Sequence, residues 1–282
     1  MNKLFKSIVC CVRSQNILEN RTKKAIKTAI LNKEEVIESS HGYVKKVKIK
    51  NKFYACKTYY NKETYIRELR MLKRMINSKY LQRYRFSDTS KLKIYSDYEG
   101  KDLFKWLEER GISGTYPIID DNIIKKIGKN ILLGINEIID RDHVHLDIKP
   151  ENIILKDNFD IKIIDFDTAK KLHDESYFNI TTRRYGTSSY MSPEMYYRKK
   201  YSKTTDLWSL GIVLWILKAG TYPYETIDDV TNNIENFYGY NTHVKNCPKF
   251  CNLMNLLFEV DHKKRINIEE TLNHPYFEMI NL

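Results

Sequence analysis

The segment HVHLDIKPEN, residues 143–152, followed by the apolar run IKIIDFD at 161–167, constrains this chain more than any other part of it. It places Asp147, Lys149 and Asn152 in one short polar loop. A second carboxylate, Asp165, closes a strand-like run of isoleucines. Phosphoryl transfer from ATP to a hydroxyl needs such a set: one carboxylate to orient the hydroxyl, a cation near the moving phosphate and two oxygen ligands for magnesium. Asp and Asn also recur in loops for turn reasons alone. The weight therefore rests on the joint pattern with Pro150 and Glu151.

Around this loop the hydrophobic period changes. From Glu35 to Thr58, Val44, Val47 and Ile49 alternate with lysines, and Phe53, Ala55 and Lys57 continue on the next run. That alternation predicts an antiparallel meander with one solvated face. Glu63 to Ile76 has helical spacing, and Leu92 and Ile94 sit in a further strand. Residues 98–102, YEGKD, are polar with one glycine and suit a hinge. Beyond them the chain reads as helical over Ile123 to Ile139, Leu207 to Leu217 and Asn246 to Val260. The expected fold class is α+β and bilobal: a small antiparallel β-sheet lobe with one main helix, then a larger, mainly helical lobe, with the motifs at the junction. The expected boundaries are a basic N-terminal extension over 1–34, a first lobe over 35–98 and a second over 99–282.

These motifs resemble those of the eukaryotic serine/threonine protein kinase family, over about residues 35–277. The resemblance implies transfer of the γ-phosphate of ATP, with Mg2+, to Ser or Thr hydroxyls of protein substrates. It makes Asp147 the catalytic base and Lys149 the neutralising cation, with Asn152 and Asp165 as magnesium ligands. Tyr54-Ala55-Cys56-Lys57 is similar to the family's VAIK strand, so Lys57 would contact the α- and β-phosphates. Glu68 is its best-placed helical partner. Glu63 is the alternative, though at a helix start it could equally compensate the dipole. Ile37, Gly42, Val44 and Ala55 would cover the nucleotide, Glu99 would lie in the adenine-binding hinge near the gatekeeper Ser96, and Asp102 would hold the ribose. Gly186-Thr187 and Tyr190-Met191-Ser192-Pro193-Glu194 match the end of the activation segment. Thr187 would then bridge Asp147 and Lys149, which favours Ser/Thr acceptors. Asp206 would hold the catalytic-loop backbone, and Arg265 would pair with Glu194.

The departures from the family pattern point the other way. In Ile37-Glu38-Ser39-Ser40-His41-Gly42-Tyr43-Val44 only the third glycine of GxGxxGxV survives, which predicts a stiffer loop and weaker ATP affinity. Leu146 stands where the family has the arginine that pairs with a phosphorylated activation segment, so regulation by another route, or constitutive activity, is expected. Asp167 replaces the glycine of DFG and is expected to restrict the backbone there. Thr181 and Thr182 are either autophosphorylation sites or plain surface residues. The alternative reading is a pseudokinase, a binding or scaffold module. Against it stands the retention of Lys57, Glu68, Asp147, Lys149, Asn152 and Asp165 together.

Charge and composition bound the partners. Of 282 residues, 42% are hydrophobic and 30% charged, as in ordinary globular proteins. Residues 1–100 hold 24 Lys and Arg against 9 Asp and Glu, whereas residues 101–282 hold 24 against 27. The basic first lobe fits an acidic partner, or the charge only keeps that face soluble. The Leu207 to Leu217 run is too short for a bilayer, which needs about 20 residues, so no transmembrane segment is expected. Lys6 interrupts the apolar start, which argues against a secretory signal. Cys10 and Cys11 lie near basic residues and are either palmitoylation sites or small apolar residues. The five cysteines form no disulfide or zinc spacing, which implies a reducing, cytoplasmic setting. Richness in Ile, Lys, Asn and Tyr, with a compressed stretch before the hinge, suggests a minimal, poxvirus-like viral member, acting in the host cell.

Overall fold

A computed structural model describes residues 36–39, 41–111, 119–173, 179–181, 184–225, 227, 244 and 246–278. The expected basic extension over 1–34 lies outside them, as does Thr182. The chain divides into two compact units: residues 1–77 with 82–98, and residues 78–81 with 99–282.

Among the described residues, the first unit is a five-stranded antiparallel sheet with one helix. Strands β1 (Val36–Ser39), β2 (Gly42–Ile49) and β3 (Lys52–Tyr59) form the expected meander. Helix α1 (Lys62–Arg74) follows, then β4 (Tyr84–Asp88) and β5 (Lys93–Asp97), in the sheet order β1-β2-β3-β5-β4. The periodicity of α1 continues to Ile76, but the helix stops at Arg74 and leaves Ile76 exposed. Asn61 caps α1 by accepting from the Thr64 N–H over 2.8 Å, and the helix buries Tyr65, Glu68, Met71 and Leu72. Register decides which side chains share a face. Ile37 pairs with Val44, Val44 with Lys57, and Ala55 with both Lys46 and Ser96. Directly paired residues point to the same side of a sheet, so Ile37, Val44, Ala55, Lys57 and the buried Ser96 line one face.

The second unit is mainly helical. It opens with β6 (Lys101–Asp102) and α2 (Leu103–Glu108), then the long α3 (Asp121–Ile139), which turns Ile124, Ile127, Ile131, Ile135 and Ile138 inward. Short strands β7 (His143–Val144), β8 (Ile153–Leu155), β9 (Ile161–Ile163), β10 (Lys170–Lys171) and β11 (Asn179–Ile180) carry the motif-bearing stretch. Helix α4 (Pro193–Arg198), β12 (Lys200–Tyr201), α5 (Thr205–Ala219), α6 (Pro248–Leu257) and α7 (Ile268–Leu272) follow among the described residues. Helix α5 is buried on every side from Thr205 to Leu217, which is why it reads as apolar all round. It ends at Gly220, whose φ of 72° suits a glycine C-cap. Residues 78–81 belong here: Ile163 N–H donates to the Tyr80 carbonyl over 2.8 Å. Among the described residues no helix is long and apolar enough to cross a membrane.

Candidate active site

The loop after β7 is fixed from beneath by Asp206 in the first turn of α5. Its carboxylate, fully buried, accepts from the main-chain N–H groups of His145 (2.7 Å) and Leu146 (2.8 Å). Burial pushes the Asp206 carboxyl up, while His145 and the two amide donors act against that rise. His145 completes the brace: Nε2 donates to the Ile164 carbonyl over 3.0 Å and Nδ1 accepts from the Asp147 N–H over 3.2 Å. Thr168 Oγ1 donates to the His145 carbonyl over 2.9 Å. So anchored, Leu146 adopts a φ of 66°, which a branched side chain rarely accepts.

Asp147 is the centre of the polar network. Its Oδ1 accepts from the Thr187 N–H and the Thr187 hydroxyl, each over 2.8 Å. Its Oδ2 accepts from Asn152 Nδ2 over 2.9 Å and pairs with Lys149 Nζ at 2.9 Å. Lys149 also donates to Thr187 Oγ1 over 2.6 Å. The expected bridge is therefore present: one hydroxyl takes a proton donor from Lys149 and gives its own to Asp147. Burial pushes the neighbouring Glu151 carboxyl up, Lys149 opposing and Asp147 and Asp102 adding to the rise.

The donor set suits a hard divalent cation. Asn152 spends its amide N–H groups on Asp147 (carbonyl 2.8 Å, Oδ2 2.9 Å), which leaves its side-chain carbonyl as an oxygen ligand. Asp165 follows β9, half-buried, with a φ of 65°. A left-handed turn is tolerated by Asp better than by most residues. Magnesium is commonly held by one or two such protein oxygens together with substrate phosphates, and Asn152 with Asp165 match that pattern. Asp167, which stands in the place of the family's glycine, has a negative φ, so it sits in this conformation without left-handed strain.

In the first unit Lys57 Nζ lies 2.8 Å from Glu68 Oε2, with Glu68 only 1% exposed. This separates the two candidate partners, since Glu63 instead occupies the first turn of α1. Gly42 is a strand residue, not a loop residue. A Cβ there would come 2.0 Å from the Thr58 carbonyl oxygen, so close strand pairing alone demands glycine. Ile37 is 49% exposed on β1.

Two further predicted positions are engaged within the second unit. Glu99 Oε2 pairs with Lys156 at 2.5 Å, and Asp102 caps α2 by accepting from the Lys105 N–H over 2.8 Å. The expected Glu194–Arg265 pair is bidentate, at 2.8 and 2.9 Å, and Thr205 Oγ1 adds a bond to Glu194 over 3.0 Å. Sequence reasoning missed Tyr185, which packs on a buried cluster containing Leu146. The tyrosine-rich stretch from 185 to 201 was the available signal.

Comparison with known proteins agrees with this geometry. The protein kinase domain profile matches residues 32–277. The chain is 29% identical over 273 residues to the MAP kinase kinase MKK1/SSP32 of Saccharomyces cerevisiae, covering 86% of this chain and 51% of that protein. It is 27% identical over 216 residues to the SNF1-related protein kinase catalytic subunit alpha KIN12 of Arabidopsis thaliana, covering 75% and 42%. Against the serine/threonine-protein kinase D3 of Mus musculus the identity is 28% over 166 residues, covering 57% and 18%. The matched region thus spans about half or less of each relative's length. With its catalytic loop, its Lys57–Glu68 pair and a profile match over most of its length, the chain belongs to the protein kinase domain family.

Proposed function

We propose that this chain transfers the γ-phosphoryl group of ATP to Ser or Thr hydroxyls of protein substrates. The observation that carries the reading is the closed set Asp147–Thr187–Lys149. Asp147, held through both oxygens, orients the acceptor hydroxyl and takes its proton as the oxygen attacks. Lys149 neutralises charge on the phosphoryl group in transit. Thr187 ties both groups to the segment on which a substrate would lie, and this tie supports Ser/Thr over Tyr as acceptor. Lys57, kept in place by Glu68, supplies the cation for the α- and β-phosphates. Asn152 and Asp165 would hold Mg2+, which when bound neutralises the β- and γ-phosphate oxygens. Protein substrates follow from the same reading, and the basic first hundred residues favour an acidic partner.

The test is transfer from radiolabelled ATP with magnesium to generic acidic and basic proteins, followed by phosphoamino-acid analysis. Phosphoserine or phosphothreonine is expected with wild type, and none with Asp147→Ala that melts like wild type. Equal transfer by both proteins would remove Asp147 from the reaction. Nucleotide binding without any transfer would favour a scaffold.

A further inference from the structure

Leu146 takes the place of a cation, and its surroundings are apolar. Its side chain, 6% exposed, lies in a cluster with Val144, Leu172, Met191, Met195 and Tyr201, against which Tyr185 and Tyr196 pack. Besides Val144 on β7, these residues come from the two ends of the activation segment and the turn just beyond it. Leu172 follows β10, which pairs with β7 through Lys170 and Val144, while Met191, Met195 and Tyr201 lie near the segment's end. Tyr201 also donates its hydroxyl to the Lys171 carbonyl over 3.0 Å.

Two cations of this stretch lie over aromatic faces: Lys170 Nζ is 3.9 Å from the Tyr185 ring centre, and the Arg184 guanidinium is 4.1 Å from that of Tyr196. Next to the cluster the two segments meet residue by residue. Gly186, with a φ of 93°, rests so closely on the Leu146 carbonyl that a Cβ would fall 2.1 Å from its oxygen. The following residue, Thr187, makes its two bonds to Asp147.

We propose that Leu146 and Tyr185 form an apolar latch that positions Thr187 on Asp147 with no phosphate on the activation segment. Leu146 is a positioning residue: it touches no reacting atom and acts through the loop that carries Asp147. Burial of apolar surface replaces the ion pair by which a phosphate would order the segment. The unusual φ of Leu146 fits this role, since strained backbone persists where its surroundings over-determine it. The proposal rests on the phosphotransfer reading above.

The experiment uses the full chain, treated with a broad phosphatase until its intact mass shows no phosphate. Transfer to a generic Ser/Thr acceptor is expected to stay within about threefold of the untreated protein, and a larger loss overturns the latch. Amide hydrogen exchange supplies a readout that does not need activity. In phosphate-free wild type, peptides covering residues 184–190 are expected to be protected. Leu146→Ser and Tyr185→Ala should lose that protection, with kcat falling about tenfold or more and the ATP KM unchanged, while Leu146→Met keeps both. Protection of α5 peptides verifies the fold, and if Leu146→Ser fails it, the half-buried Tyr185→Ala decides. Protection over 184–190 that survives in the folded variants overturns the proposal. If no sample transfers phosphate, the phosphotransfer reading falls, and exchange alone judges the latch.

Discussion

Thr187 is bound to Asp147 twice over: its main-chain N–H and its hydroxyl both donate to Oδ1, each across 2.8 Å. A short side chain thereby couples the segment around residue 187 to the carboxylate proposed as the catalytic base. The same hydroxyl accepts from Lys149 at 2.6 Å, so three functional groups share one oxygen-centred junction.

Removing the hydroxyl while keeping the shape isolates that junction. Thr187→Val keeps the main-chain bond but deletes two hydroxyl contacts, one of them to a cation. A lost charge-assisted hydrogen bond costs about 1.5–3 kcal/mol, so kcat should fall roughly ten- to a hundredfold with little change in ATP KM. Thr187→Ser should recover most of the rate. A Val variant with wild-type kcat in steady-state assays would exclude the junction from catalysis.

The Lys57–Glu68 pair separates chemistry from stability. Lys57→Met removes the cation proposed for the nucleotide phosphates and strips a carboxylate, 1% exposed, of its lysine. Activity should vanish, and the first unit should lose stability, because half a buried ion pair is worse than none. Lys57→Met combined with Glu68→Leu should regain stability in urea melts but no activity. If both variants melt like wild type, the pair carries no structural weight.

Gly186 offers a test at a single Cβ. Alanine there meets the Leu146 carbonyl oxygen at 2.1 Å and must also accept a φ of 93°. The Leu146 carbonyl cannot yield without moving Asp147, the next residue. Gly186→Ala is therefore expected to lose about tenfold or more in kcat and to destabilise the protein by about 1–3 kcal/mol. Unchanged kinetics would show that this contact does not transmit to the loop.

Much of this was legible in residue order because the polar loop is local. Asp147, Lys149 and Asn152 lie within six positions, and their types state their chemistry. Period-two alternation gave the β2–β3 hairpin, and helical spacing gave α1 and α3. What escaped depended on φ and on long-range packing. Residue order did not show that the left-handed position of the IKIIDFD stretch falls on Asp165. Residue order could not show that Gly42 opens β2, where the Thr58 carbonyl of β3 excludes a side chain. Leu146 signalled a missing cation, but residue order could not show that Tyr185, 39 positions later, packs on its cluster. Asp102 and Glu99 likewise revealed their helix-capping and ion-pair partners only in three dimensions.

The Glu194–Arg265 pair makes the stability of the second unit depend on pH with a definite sign. The side chains are 3% and 0% exposed and meet in a bidentate geometry. Burial alone would push the Glu194 carboxyl up, but the Arg265 guanidinium more than offsets it and holds the group below its ordinary value of 4.5. A carboxylate depressed in the folded state adds stability that is fully present above its unfolded value and is lost as pH falls through its folded one. Wild type should therefore be steady near neutral pH and weaken progressively below about 4.5. Glu194→Gln should be less stable at pH 7 and show a flatter acid limb, so the two curves converge as pH drops. Arg265→Ala, by leaving a buried carboxylate without its partner, should cost roughly 3–5 kcal/mol at pH 7. Part of that loss should disappear at low pH, where protonation of Glu194 removes the uncompensated charge. Urea denaturation at several pH values measures all three proteins. Parallel acid limbs for wild type and Glu194→Gln would show that Glu194 is not the group being titrated.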